Sequence, residues 1–205
     1  MGIRWVFFDL GSTLLDESRA VHRRIIETVK DSGIAYQMFR DTMLEAFREN
    51  RDGYREALER FGLKKMPWRS EEERVYPGVK DLLERLRRQY SLGVIANQAP
   101  GAEKRLRDFG VLEYFELILA SAEVGLSKPD PRIFQLALDR AGCRAEQAVM
   151  VGDRLDNDII PAKALGMKTV WIRQGDWKYA SPRSPEETPD FAVDDWKELD
   201  EMLKR

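Results

Sequence analysis

From Pro77 onward, short apolar runs alternate with segments whose apolar residues recur every three or four positions. A short apolar run bounded by turn residues is typical of a buried strand, and the longer spacing is typical of an amphipathic helix. Strands that are apolar throughout belong to parallel sheets with both faces covered. The alternation therefore predicts an α/β fold, in which a three-layer α/β/α core contains a Rossmann-like parallel sheet.

The predicted strands and helices can be placed from this pattern. The first strand is the apolar run that ends at Asp9. Further strands are predicted at 92–96, 116–120, 147–151, 169–172 and 191–193. Helices are predicted at 79–90, 102–109, 131–141, 156–165 and 195–204.

Residues 16–76 follow a different pattern, because their apolar residues have helical spacing only. Three helices are predicted there, and no part of 17–76 has the pattern of a strand. We therefore expect residues 1–15 and 77–205 to form the α/β core domain, and residues 16–76 to form a small inserted helical domain.

Composition excludes several classes of protein. The chain has 205 residues, which suits one domain with a modest insertion, and its net charge of −2 gives no general attraction to nucleic acid. Its apolar runs are shorter than the ~18 residues of a membrane span. The single cysteine, Cys143, cannot form an intramolecular disulfide, and we expect it to pack or cap a helix end. These features predict a cytoplasmic protein that binds neither nucleic acid nor membrane. Whether it is a monomer or a homodimer stays open.

Polar residues follow several of the predicted strands. Asp9 and Asn97 come directly after strands, Asp153 follows Gly152, and Lys128 lies in a loop between a strand and a helix. Ligands of open α/β sheets bind at the carboxyl ends of the strands, so these side chains are expected to meet at one edge. Carboxylates at two strand ends suit Mg²⁺, a hard cation that prefers oxygen ligands.

This ordered set of motifs resembles that of the haloacid dehalogenase superfamily, whose largest membership is phosphatases. The resemblance rests on four segments of the chain: 9–14 (DLGSTL), 95–97 (IAN), 128–129 (KP) and 152–158 (GDRLDND). It covers nearly the whole chain. The helical segment after the first motif resembles the C1-type cap that covers the active site in one large subgroup.

The resemblance implies that Asp9 is the nucleophile and forms an aspartyl-phosphate intermediate. It implies Mg²⁺ held by Asp9, the carbonyl of Gly11 and Asp153, with Asp158 binding the ion or its waters. Lys128 would be catalytic, neutralising Asp9 and the charge on the transferring group.

The resemblance also implies a phosphate-binding set, consisting of Ser12, Thr13, Asn97 and Lys128. The second motif departs from the family here, since it has Ala96 where a Ser or Thr is usual. One hydrogen bond to phosphate is then missing, unless Asn97 supplies it.

The first motif departs more seriously, at Gly11. Phosphatases of the family usually have a second Asp at this position, which protonates the leaving group and then activates water. Acid–base catalysis contributes roughly 10²–10⁴-fold, so phosphate-ester turnover is expected to be slow unless another group substitutes. Asp16 is the candidate substitute, and Gly11→Asp is expected to raise turnover.

Three functions remain open at this point. The first is a Mg²⁺-dependent phosphatase that acts on a small phosphorylated metabolite. The second is a related hydrolase that splits a C–Cl or C–P bond, the latter with a lysine of the helical segment (Lys30, Lys64 or Lys65). The third is a ligand-binding or regulatory protein that is catalytically weak or inactive because of Gly11 and Ala96.

Overall fold

The computed structural model describes residues 2–204. Its strands are β1 (Trp5–Phe8), β2 (Leu15–Asp16), β3 (Arg74–Val75), β4 (Ser91–Ala96), β5 (Leu117–Ala120), β6 (Ala148–Gly152), β7 (Lys168–Ile172) and β8 (Phe191–Val193). Six of them form one parallel sheet in the order β5-β4-β1-β6-β7-β8. The predicted parallel sheet is thus confirmed.

The helices connect these strands. They are α1 (Ser18–Val29), α2 (Tyr36–Arg48), α3 (Gly53–Phe61), α4 (Val79–Leu86), α5 (Ala102–Asp108), α6 (Ser121–Val124), α7 (Pro131–Ala141), α8 (Ile160–Ala164) and α9 (Trp196–Leu203). Helix α7 begins with Pro131, whose missing N–H suits the first turn, and its N-cap Asp130 accepts a hydrogen bond from Arg132 N–H. It ends at the left-handed Gly142, next to which Cys143 packs against the apolar core.

Alternate residues of the central strand point to opposite faces of the sheet. Val6 and Phe8 of β1 pack with α4, α5 and α9, whereas Trp5 and Phe7 pack with α7 and α8. The sheet is therefore covered on both sides, which confirms the three-layer architecture.

Helices α1–α3 pack in a separate apolar cluster beside the sheet. Phe39 and Phe47 of α2 lie there with Trp171 and Trp177, which come from β7 and the loop after it. The assignment of residues 16–76 as a separate domain stays a prediction.

The expectation that residues 17–76 contain no strand is wrong at one end of this segment. Strands β2 and β3 pair antiparallel, with Leu15 opposite Val75 and Asp16 opposite Arg74. Each strand has only two residues, which is too short for an alternating pattern to be visible in the sequence. The pair joins the chain where it enters and leaves the helical segment.

The predicted helix at 156–165 is divided in two. Its first part is a π-helix (Leu155–Ile159), and only the second part, α8, is α-helical. Single π-turns are rare and are often found at functional sites. Within residues 2–204, no helix is both long enough and apolar enough to cross a membrane.

Candidate active site

Asp9 and Asp153 lie side by side because they follow neighbouring parallel strands. Asp9 comes directly after β1, and its backbone N–H donates to the carbonyl of Val151 in β6 at 3.0 Å. Asp153 comes directly after β6. The fold therefore brings these two side chains together at the carboxyl edge of the sheet, as the sequence predicts.

Lys128 joins the nucleophile candidate to the acidic cluster. Its Nζ lies 2.6 Å from Asp9 Oδ1 and 2.6 Å from Asp158 Oδ1, and the residue is 4% exposed. Burial opposes its charge, but Asp158 and Asp9 outweigh this effect and raise the pKa of Lys128. The ammonium group is therefore held charged between two carboxylates.

Asn97 holds the backbone of Lys128. Its Nδ2 donates to the Lys128 carbonyl at 2.8 Å, and its Oδ1 accepts from the Lys128 N–H at 2.8 Å. Both ends of the amide are used, so the contact observed for Asn97 is positioning of Lys128. Its predicted contact with phosphate stays a prediction.

The three aspartates form a cluster suited to a cation. Asp9, Asp153 and Asp158 each offer a carboxylate oxygen, and these oxygens lie within 4.8 Å of one another. Lys128 is the basic residue bound to this cluster, and it contacts Asp9 and Asp158 but not Asp153. The excess negative charge and the oxygen donors fit Mg²⁺.

Asp153 supplies the strongest evidence for that fit. It is 2% exposed, and no salt bridge to it exists among residues 2–204. Burial and the charges of Asp9 and Asp158 raise the pKa of Asp153 well above its ordinary value. A buried carboxylate is costly unless it is paired or coordinates a metal.

Asp158 is positioned by the π-helix. The N–H of Arg154 donates to Asp158 Oδ2 at 3.0 Å, while Oδ1 accepts from Lys128. A Cβ on Gly152 would lie 2.3 Å from the Asp158 carboxyl carbon, so only glycine permits this approach. Burial raises the pKa of Asp158 to about 6, although Lys128 opposes the shift.

Two further residues fix Asp153. Thr13 Oγ1 donates to Asp153 Oδ1 at 3.3 Å, and the indole N–H of Trp171 donates to the Asp153 carbonyl at 2.7 Å. Sequence reasoning did not assign Trp171 to the site. The register of the sheet places it opposite Gly152, one residue before Asp153, and no local motif marks this position.

Glu17 is the main residue that sequence reasoning missed. It lies just before helix α1, and Ser12 Oγ donates to its Oε2 at 3.0 Å. A Cβ built on Gly11 would lie 2.6 Å from Glu17 Oε1 and 3.0 Å from Oε2. The Glu17 carboxyl group therefore fills the space beside Gly11 that a side chain there would enter. Burial and repulsion from Glu73 raise the pKa of Glu17 to about 7.

This geometry removes the basis for expecting Gly11→Asp to raise turnover. The backbone at Gly11 is not left-handed, so backbone strain is no obstacle, but the added side chain would collide with Glu17. Asp16, the proposed substitute, is half-buried, and its Oδ1 accepts the N–H of Ser18 at 2.9 Å at the start of α1.

A cavity of about 670 Å³ lies between the helical segment and the loops at the sheet edge. Ser12 and Glu17 line it from the loop after β1, and Arg154 and Trp177 line it from the core. Arg24 of α1 also lines it, with its guanidinium 4.0 Å from the ring centre of Tyr54. Lys30, Lys64 and Lys65 are exposed and do not line this cavity.

The sequence profile of the haloacid dehalogenase-like hydrolases matches residues 6–172. The chain belongs to this family. The match includes the four motif segments and the helices α1–α3 between the first and second.

Several curated relatives are phosphatases. A glyceraldehyde 3-phosphate phosphatase of Methanopyrus kandleri is 37% identical over 131 residues, which are 63% of this chain and 56% of the relative. A phosphoserine phosphatase of Thermus thermophilus is 37% identical over 127 residues, 61% of this chain and 49% of the relative. The chain thus spans about half the length of these two relatives.

Another glyceraldehyde 3-phosphate phosphatase, from Pyrococcus furiosus, is similar along its whole length. It is 32% identical over 228 aligned positions, which cover 99% of this chain and 94% of the relative. The similarity to phosphatases is therefore not confined to the motif segments.

Solved structures share the fold. A phosphatase of the family from Thermococcus onnurineus has a TM-score of 0.68 at 27% identity, covering 98% of both chains. A 2-haloacid dehalogenase from Pseudomonas syringae has a TM-score of 0.64 at 24% identity, covering 99% of both. Because both chemistries occur on this fold, the function must be argued from the site.

Proposed function

We propose that the protein is a Mg²⁺-dependent phosphatase that hydrolyses a small phosphorylated metabolite through an aspartyl-phosphate on Asp9. The observation that carries the proposal is the cluster in which Lys128 bridges Asp9 and Asp158 beside Asp153, which forms no salt bridge with any described residue. The phosphatase relatives support the same reaction.

Asp9 is suited to act as the nucleophile. Its carboxylate is 13% exposed, so it can be reached, and one oxygen is held by Lys128. That contact orients the group and leaves the other oxygen to attack phosphorus. The charge of Lys128 offsets repulsion between the carboxylate and the incoming phosphate dianion.

Asp9, Asp153 and the Gly11 carbonyl would hold Mg²⁺, with Asp158 alongside. When bound, the ion supplies positive charge that lowers the barrier to attack on a dianion. Thr13 and Trp171 keep Asp153 in place for this role. The cost of burying Asp153 without a basic partner then has a functional explanation.

The substrate is a small polar molecule. A volume of about 670 Å³ lies within the range usual for sites that bind small molecules. Its lining mixes aromatic rings with the cation Arg24, which suits a phosphorylated metabolite with a further polar end. The exposed positions of Lys30, Lys64 and Lys65 give no support to cleavage of a C–P bond.

The test is a screen of phosphorylated metabolites with Mg²⁺, in which released phosphate is measured. Asp9→Asn serves as the blank, because it keeps the shape of the side chain and removes the nucleophile. We expect phosphate release from wild type and at least ~10³-fold less from Asp9→Asn.

Three results would contradict the proposal. Equal phosphate release by the two proteins would mean that Asp9 is not the nucleophile. Halide release from a haloacid without phosphate release from any ester would favour the dehalogenase reaction. Stoichiometric phosphorylation of Asp9 without turnover would favour a regulatory role.

A further inference from the structure

We infer that Glu17 donates the proton to the leaving oxygen of the substrate and then accepts one from the attacking water. This inference rests on the proposed phosphatase function. A phosphate ester of an ordinary alcohol leaves as a strongly basic alkoxide, so its departure needs a proton donor near the nucleophile.

The first support is position. Gly11 lies two residues after Asp9, and a side chain on it would begin 2.6 Å from Glu17 Oε1. Both Glu17 oxygens lie within 3.0 Å of that point. The carboxyl group therefore reaches the space beside Gly11 from the start of α1, six residues after Gly11 in the chain.

The second support is the way the carboxyl group is held. Ser12 donates to Oε2 at 3.0 Å, which fixes the orientation of the side chain. Oε1 has no hydrogen-bond partner among residues 2–204, and no lysine or arginine in that range forms an ion pair with Glu17. Glu17 lines the cavity of about 670 Å³, so its Oε1 is held in position and is free to contact a substrate there.

The neighbouring acidic residues, Asp16 and Glu73, accept hydrogen bonds from other groups. Asp16 Oδ1 accepts from Ser18 N–H at 2.9 Å. Glu73 is fully buried and bound to Arg105 and Trp68. Of the acids near this end of the cavity, Glu17 is the one whose carboxyl atoms lie nearest to the space beside Gly11.

The reaction balances with this assignment. In the first step the Asp9 carboxylate bonds to phosphorus, the bond from phosphorus to the alcohol oxygen breaks, and Glu17 protonates the departing alkoxide. In the second step water attacks phosphorus, its proton passes to the Glu17 carboxylate, and the bond from phosphorus to Asp9 breaks. The products are an alcohol and inorganic phosphate, and both carboxyl groups return to their initial state.

The test compares leaving groups in Glu17→Gln, which retains the size of the side chain and an oxygen to accept from Ser12. The alkoxide of an alkyl phosphate needs a proton in order to leave, so we expect the rate of alcohol release to fall by about 10²–10⁴-fold. p-Nitrophenolate leaves without protonation, so its first release is expected to change by less than about tenfold. Hydrolysis of the phosphorylated Asp9 still needs a base, which predicts a burst of one equivalent followed by slow turnover.

Asp16→Asn is the matched control, because it neutralises the adjacent carboxylate. We expect its alkyl and aryl rates to remain near those of wild type. Equal losses in Asp16→Asn and Glu17→Gln, or a Glu17→Gln protein that hydrolyses alkyl phosphates normally, would overturn the inference. Absence of turnover in wild type would instead count against the proposed function, so the two failures are distinguishable.

A double variant tests whether activity depends on a carboxyl group in the space beside Gly11, whichever residue supplies it. Glu17→Ala vacates the space beside Gly11, and Gly11→Asp then places a carboxylate there from the other side. We expect the double variant to hydrolyse alkyl phosphates at least about tenfold faster than Glu17→Ala alone. A folded double variant, with the melting temperature of wild type and no such gain, would contradict the assignment.

Discussion

Two buried aspartates, Asp153 and Asp200, differ in their basic partners and in the direction of their pKa shifts. Asp153 is 2% exposed at the carboxyl edge of the sheet and has no basic partner in the described part of the chain. Asp200 is 7% exposed on α9, where Arg85 and Lys204 donate to its Oδ2 at 3.0 and 2.9 Å.

The pKa values follow this difference. Burial and like charges raise the pKa of Asp153. Burial opposes the ionised form of Asp200 too, but hydrogen bonds from Lys204 and Arg85 outweigh it and lower the pKa of that carboxyl group. The comparison teaches that Asp200 ties α9 to α4, whereas Asp153 forms no salt bridge within residues 2–204, so that its ionised form would gain most from the proposed cation.

The largest effect should come from adding Mg²⁺. An ion that binds only the folded protein at 100 times its Kd stabilises it by about 2.7 kcal/mol. We expect this increase in the free energy of unfolding in wild type and in Asp200→Asn, but not in Asp153→Asn. Denaturant unfolding with Mg²⁺ or with EDTA measures it. An equal gain in Asp153→Asn would place the metal elsewhere.

The second effect is a stabilisation by Asp153→Asn, whereas substitution of a buried residue usually lowers the free energy of unfolding. Without metal at pH 8, Asp153→Asn removes a buried charge near two others while keeping an oxygen for Thr13. We expect the free energy of unfolding to rise, since burial and the charges of Asp9 and Asp158 disfavour the ionised form of Asp153 in the folded protein. Urea titration in EDTA checks this. Destabilisation would mean that Asp153 has a structural role comparable to that of Asp200.

The smallest effect is expected for Asp200→Asn, which weakens two ion pairs near the surface. The loss should be about 0.5–1 kcal/mol at pH 7, with phosphatase activity unchanged. Because the pKa of Asp200 is lower in the folded than in the unfolded state, its stabilisation is present above the unfolded value and is lost as pH falls through the folded value. The difference between wild type and variant should therefore vanish in acid, and its persistence there would exclude an ionic origin.

The core could be predicted from sequence because its signals are local. A parallel strand buried on both faces is apolar throughout, and this identifies β4 or β6 without knowledge of its neighbours. The same reasoning predicted that Asp9, Lys128 and Asp153 meet, because parallel strands end at one edge. The short strands β2 and β3 were missed, since two residues cannot show a period.

Residue types and their order along the chain thus determined the sheet, its covering helices and the acids at its edge. Only the tertiary structure decided what each polar group touches. In the folded protein the amide of Asn97 hydrogen-bonds the Lys128 backbone, and the indole of Trp171 hydrogen-bonds the Asp153 carbonyl. The carboxyl group of Glu17 fills the space beside Gly11. A glycine in a motif shows that a side chain is absent, but which other side chain fills the space depends on how α1 packs against the loop after β1.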